Sequence, residues 1–114
     1  MNKKVLIIDD NNEFLLKISS ILMRKEVFVE KKTTLFDITK KDIDGFDLVI
    51  CDQELTADEK TGLDFLIELK KMGYSGELIL LSGFDLEAKA KKEGIVYIEK
   101  TPSGLGRLLE FVRK

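Results

Sequence analysis

Leu48-Val49-Ile50-Cys51 is a continuous apolar run that stops abruptly at a carboxylate, Asp52. Apolar residues with no polar alternation suit a strand buried on both faces, the environment of a parallel sheet. The pattern recurs along the chain. Lys4 to Ile8 ends at Asp9-Asp10, Leu78 to Leu81 ends at Ser82-Gly83, and Val96 to Ile98 ends near Lys100. Val27-Phe28-Val29, closely flanked by charge, reads as a short strand nearer an edge.

Amphipathic segments separate these runs. Asn11 or Asn12 can cap a helix whose apolar residues Phe14, Leu15, Ile18, Ile21 and Leu22 share one face. Thr34 to Lys41 reads as a short helix, with Thr34 as cap and Asp37 completing a capping-box-like pair. Asp44-Gly45 turns the chain into the third strand. Thr61 caps a helix that carries Leu63, Leu66, Ile67 and Leu69 inward, and Gly73 ends it. Asp85 to Glu93 reads as a short, thinly apolar helix with only Leu86, Ala88 and Ala90 to bury. Thr101-Pro102 opens a last helix with Leu105, Leu108, Leu109 and Val112 on its face. Strand and helix thus alternate five times with short connections, which predicts an α/β fold with a five-stranded parallel sheet and helices on both faces. Residues 1–114 show no internal repeat or linker and are expected to form a single domain with no output domain.

Composition narrows the chemistry. The sequence contains no histidine, so Ser-His-Asp, Cys-His and His-zinc sites are excluded. A net charge of −2 gives no electrostatic case for direct nucleic-acid binding or for an anionic membrane. No apolar run approaches the ~20 residues of a membrane span. The single cysteine, Cys51, cannot form an internal disulfide and reads as a buried apolar residue, in keeping with a cytoplasmic location.

In a parallel sheet the residues that end each strand become neighbours, and ligands bind outside those carboxyl ends. The neighbours here are Asp9 and Asp10, Asp52, Ser82 and Lys100. Three carboxylates drawn together repel one another unless a cation joins them, and Mg²⁺ suits an all-oxygen site that also meets phosphate. Lys100 and the Ser82 hydroxyl match the needs of a phosphoryl group carried on Asp52. The set reads as a carboxylate nucleophile that accepts a phosphoryl group with metal help.

With these residues in this order the chain resembles, over essentially its full length, a receiver domain of the two-component response-regulator family (CheY-like). The resemblance rests on Asp9-Asp10, Asp52, Ser82-Gly83, and Tyr97 three residues before Lys100. It implies the (βα)5, flavodoxin-like topology. It also implies Asp52 as phosphoacceptor, Mg²⁺ held directly by Asp10, Asp52 and the backbone carbonyl of Glu54, and Asp9 acting on the metal through water. Ser82 and Lys100 would bind phosphoryl oxygens, and Ser82 and Tyr97 would form the switch. The implied partners are a sensor histidine kinase or histidine phosphotransfer protein, and a downstream target on the face of helix four, strand five and helix five. The implied protein is a phosphorelay switch rather than a turnover enzyme.

The chain departs from the family pattern in three places. Thr56 stands where a proline usually follows the acceptor, and Lys100 is followed by Thr101, with Pro102 one residue later. The segment from Ser82 to Lys100 is short, which trims helix four. Taken singly, Asp9-Asp10 also suits a helix N-terminus, Ser82-Gly83 a loop start, Lys100 a solvated charge and Tyr97 plain packing. Glu54 and Asp58-Glu59 read as a solvated acidic loop. Two other functions stay open: a receiver-like docking module that takes no phosphoryl group, and a phosphatase of the haloacid-dehalogenase type. The second would need its nucleophile in an Asp-x-Asp motif on strand one, and Asp9-Asp10-Asn11 breaks that motif. A dinucleotide site is disfavoured, because the first turn is acidic and lacks glycine.

Overall fold

The computed structural model describes residues 3–36, 38–55, 58 and 60–113. Five strands, β1 (Lys4–Ile8), β2 (Phe28–Lys32), β3 (Leu48–Asp52), β4 (Glu77–Ser82) and β5 (Val96–Glu99), form one sheet in the order β2-β1-β3-β4-β5. Every pairing is parallel. The helices between and after them are α1 (Asn12–Met23), α2 (Lys40–Ile43), α3 (Gly62–Lys71), α4 (Glu87–Lys92) and α5 (Pro102–Arg113). The expected α/β architecture and flavodoxin-like order are therefore present. Among these residues no helix is long and apolar enough to cross a membrane.

The uninterrupted apolar runs have a simple cause. All five residues of β3 are buried, and so are the residues of β1 and β4 after their first. Along β3 the side chains alternate between two cores. Val49 and Cys51 pack with Leu66 and Leu69 of α3, while Leu48 and Ile50 pack with Ile18 and Leu22 of α1 and Leu108 of α5. A strand covered on both faces needs apolar side chains at both phases of its two-residue period. β2 lies at the edge as expected, and it runs to Lys32 rather than stopping at Val29.

Most of the helix signals act where the sequence placed them. The Asn11 side chain accepts the Phe14 N–H, and the Thr61 hydroxyl accepts the Asp64 N–H. Gly73 takes the left-handed conformation (φ +89°) that closes α3. Thr101 accepts the Gly104 N–H at the start of α5.

Helix two is the correction. Thr34 does not cap a helix over 34–41; α2 is one turn that starts at Lys40, capped by Thr39 in a reciprocal box with Asp42. The Thr34 hydroxyl instead donates to the Asp58 carboxylate at 3.0 Å, and the Leu35 N–H donates there as well. A distant carboxylate has outcompeted the local cap. Asp37, the residue expected to pair with Thr34, lies outside the described residues. Asp58 is thus a tie between two loops and not a solvated charge; Glu59 lies outside the described residues. Helix four begins two residues later than expected, at Glu87, because the Asp85 carboxylate accepts the Glu87 N–H in a turn ahead of it.

One close approach sets the geometry beside Asp52. The Gly62 N–H donates to the Gln53 carbonyl, and the Leu63 N–H donates to the Gln53 side chain, so the loop closes on itself where it leaves β3. A Cβ on Gly62 would drive into the backbone carbonyl of Asp52, whereas one on Gly106 of α5 meets nothing. Gly62→Ala is expected to lower the unfolding free energy by about 2 kcal/mol or more. Gly106→Ala is expected to raise it by about 0.5–1 kcal/mol through helix propensity. Urea denaturation of both variants checks the pair; an unchanged midpoint for Gly62→Ala would contradict the steric account.

Candidate functional site

The carboxyl edge of the sheet brings together what each strand end supplies. Asp9 follows β1, Asp52 ends β3, Ser82 ends β4, and Lys100 follows β5. One carboxylate oxygen from each of Asp9, Asp10 and Asp52 lies within 4.8 Å of the others. Asp9 is fully buried and Asp52 is 5% exposed, while Asp10 is partly exposed toward solvent. The Lys100 ammonium donates to Asp9 Oδ2 at 2.7 Å and lies 3.5 Å from Asp52 Oδ1. The other Asp9 oxygen accepts the Asn11 N–H at 2.9 Å. Asp9 is therefore fixed from both sides, once by the helix that follows it and once by Lys100.

This electrostatic arrangement is tense. Burial raises the proton affinity of Asp52, and the neighbouring Asp9 charge raises it further; Lys100 offsets part of this, and the group is pushed up to about 6. Burial acts to lower the Lys100 ammonium, but its bond to Asp9 and the Asp52 charge outweigh that and hold it above the usual lysine range. Hard oxygen donors that converge and repel form a natural site for a divalent cation, and the residues present fit one. Glu54 is different: its side chain is exposed and lines a groove of about 450 Å³ with Leu55, Thr61, Phe84 and Leu86. It does not join the three converging carboxylates.

Ser82 and Tyr97 meet on a single peptide segment. The buried Ser82 hydroxyl accepts the Phe84 N–H at 2.9 Å, and the Tyr97 hydroxyl donates to the Phe84 carbonyl at 2.6 Å. Both expected switch residues therefore grip the loop between β4 and α4. Burial, with the charges of Glu99 and Asp85, moves the Tyr97 phenol further above its ordinary range. Cys51 is fully buried, and burial together with the Asp52 charge pushes its thiol well up, so it is inert packing as expected. Every peptide bond among the described residues is trans, Lys100–Thr101 included, as suits a bond whose second residue is not proline. Thr56 lies outside the described residues.

The structure adds one group that the sequence did not single out for this site. The Lys100 ammonium sits over the Phe14 ring, 4.5 Å from its centroid. Phe14 read simply as a core residue of α1, and nothing in a helical pattern couples it to a lysine near the other end of the chain.

No family model matches the sequence, and no curated protein does. Solved structures match closely in fold. A response-regulator receiver domain protein from Clostridium thermocellum is 26% identical, with a TM-score of 0.79 over 97% of this chain and 94% of that one. A CheY-like receiver domain protein from Methanospirillum hungatei JF-1 is 25% identical, with a TM-score of 0.77 over 99% and 92%. The receiver domain of the Francisella response regulator 1452 shares the fold at 22% identity, with a TM-score of 0.77 over 97% and 93%. The chain has the receiver-domain fold of the response regulators, and the expected resemblance to receiver domains is borne out at the level of the fold.

The buried Asp52 carboxylate makes stability depend on pH in a definite direction. The unfolded chain releases the Asp52 proton near 3.8, whereas the folded chain keeps it to about 6. Between those values the native state binds more protons, so this group costs stability as pH rises through the window. In chelator-treated protein, Asp52→Asn is expected to have little effect on Tm at pH 4 and to stabilise by on the order of 2 kcal/mol at pH 7. Thermal melts at the two pH values check this; equal effects at both would contradict it.

Proposed function

We propose that the chain is a phosphorelay receiver, with Asp52 as the group that takes the phosphoryl. The observation that carries the reading is the convergence of Asp9, Asp10 and Asp52 within 4.8 Å with the Lys100 ammonium 3.5 Å from Asp52. In the reaction an Asp52 carboxylate oxygen attacks the phosphorus of a phosphohistidine. A new O–P bond forms as the N–P bond breaks, and the imidazole nitrogen keeps the electron pair and takes up a proton. The sequence has no histidine, so the donor is another protein, a sensor histidine kinase or a histidine phosphotransfer protein, or else a small acyl phosphate.

Asp10, Asp52 and the backbone carbonyl of Glu54 are the residues that would hold Mg²⁺, with Asp9 acting through water. When bound, Mg²⁺ supplies positive charge to offset that of the transferring group. Lys100 gives an N–H to one phosphoryl oxygen. Ser82, whose oxygen accepts from Phe84, can still donate its hydroxyl proton to another. Movement of Ser82 toward the phosphoryl group pulls on Phe84, and Phe84 is what Tyr97 holds. That linkage would carry the change to the face of α4, β5 and α5, where a downstream protein docks. Water attack on phosphorus regenerates the carboxylate and releases inorganic phosphate, so the protein resets as a switch and does not turn over a substrate. Residues 1–114 act in this reading as one receiver unit in the cytoplasm, through protein partners and without direct contact to nucleic acid or membrane.

Incubation with acetyl phosphate and Mg²⁺, followed by intact-mass spectrometry, tests the assignment. A covalent phosphoryl adduct is expected in the wild type, absent in Asp52→Asn and after chelation. In Lys100→Met it should form on the order of 100-fold more slowly. No adduct with either acetyl phosphate or a kinase would favour the docking module. Steady hydrolysis of phosphate esters would favour the phosphatase.

A further inference from the structure

Lys100 is held by three neighbours, and one of them carries no charge. Its ammonium donates to Asp9 at 2.7 Å, lies 3.5 Å from Asp52, and sits 4.5 Å from the centroid of the Phe14 ring. That centroid distance is well inside the ~6 Å over which an ammonium is drawn to an aromatic face. Phe14 is itself placed by the same acidic turn. Asp9 accepts the Asn11 N–H, the Asn11 side chain accepts the Phe14 N–H, and the ring packs against the core beneath α1 and α5. The contacts close into a circuit that runs from Asp9 through Asn11 and Phe14 to Lys100 and back to Asp9.

The choice of an aromatic neighbour has a chemical consequence. An ammonium on a flexible four-carbon stem has three N–H donors and would otherwise extend toward water. A carbonyl or carboxylate beside it would hold the charge but engage a donor. The ring face attracts the charge as a whole and makes no such strong, directed bond. The side chain of Lys100 is accordingly 23% exposed, and its ammonium stays at the edge of Asp52.

We infer that Phe14 is a positioning residue of the acceptor site: its ring holds the Lys100 ammonium between Asp9 and Asp52, so that a phosphoryl oxygen arriving on Asp52 meets a donor already in place. The inference rests on the reading of Asp52 as a phosphoryl acceptor. It separates Phe14 from an ordinary core residue, because leucine fills a similar apolar space without a charged ring face.

Phosphorylation by acetyl phosphate with Mg²⁺, followed by intact-mass spectrometry in the wild type, Phe14→Leu and Phe14→Trp, tests it. Phe14→Leu is expected to form the adduct about 3- to 20-fold more slowly, and Phe14→Trp to match or exceed the wild type. Replacing Phe14 by phenylalanines of increasing ring fluorination weakens the ring face with little change in shape, and the logarithm of the rate should fall in step. This series stands in if Phe14→Leu fails to fold. A ring-current shift of the Lys100 ε-methylene protons, present in the wild type and lost in Phe14→Leu, reports the contact without any chemistry. A Phe14→Leu rate equal to the wild type, a flat fluorination series, or no ring-current shift overturns the inference while leaving the acceptor reading intact. A wild type that forms no adduct removes the acceptor reading instead, and the inference with it.

Discussion

A single ion pair joins the first and last strand ends, and the polar edge of the sheet depends on it. Lys100 and Asp9 are 91 residues apart in sequence and meet at 2.7 Å. Asp9 has no exposure to water and Asp52 almost none, and a buried carboxylate is tolerated only when charge or hydrogen bonds replace its lost hydration. Lys100 serves both. Reaching from the end of an edge strand back toward β1, it limits how far the strand ends can move apart, and with Asn11 it fixes the orientation of Asp9. A parallel sheet is what makes this geometry available, because only parallel strands all finish on the same side.

The same economy leaves the site unbalanced. Burial and the neighbouring Asp9 charge outweigh the help of Lys100, so Asp52 holds its proton more tightly than a solvated aspartate does. A site in this condition favours whatever adds positive charge beside Asp52, as a divalent cation would. The peptide of Phe84 is held by Ser82 on one side and Tyr97 on the other, on a turn that leads into a helix of only six residues. That turn ties Ser82 at the polar edge to Tyr97 through hydrogen bonds worth about 1 kcal/mol each in net terms.

Much of this was legible in the residues. The strand positions followed from apolar runs, whose period reports burial on two faces, and the five strand-end residues followed from where those runs stop. Three helix starts followed from caps that act within four residues of themselves. What was not legible was consistently non-local. Thr34 followed by Asp37 has the pattern of a helix start, yet Asp58 captured the Thr34 hydroxyl from 24 residues away and moved the helix to Thr39. Asp58 looked like one more solvated acid for the same reason, since its partners belong to another loop.

The sequence by itself therefore determined the alternation of strand and helix, the parallel sheet, and the polar residues that would gather at its edge. These depend on periodicity and on short-range caps, which each stretch of chain carries on its own. Only the tertiary structure decided which oxygen Lys100 would bind, that Phe14 would lie beneath it, and where the second helix would begin. Such choices turn on differences of a few tenths of an ångström between groups far apart in the chain. Packing alone resolves those differences.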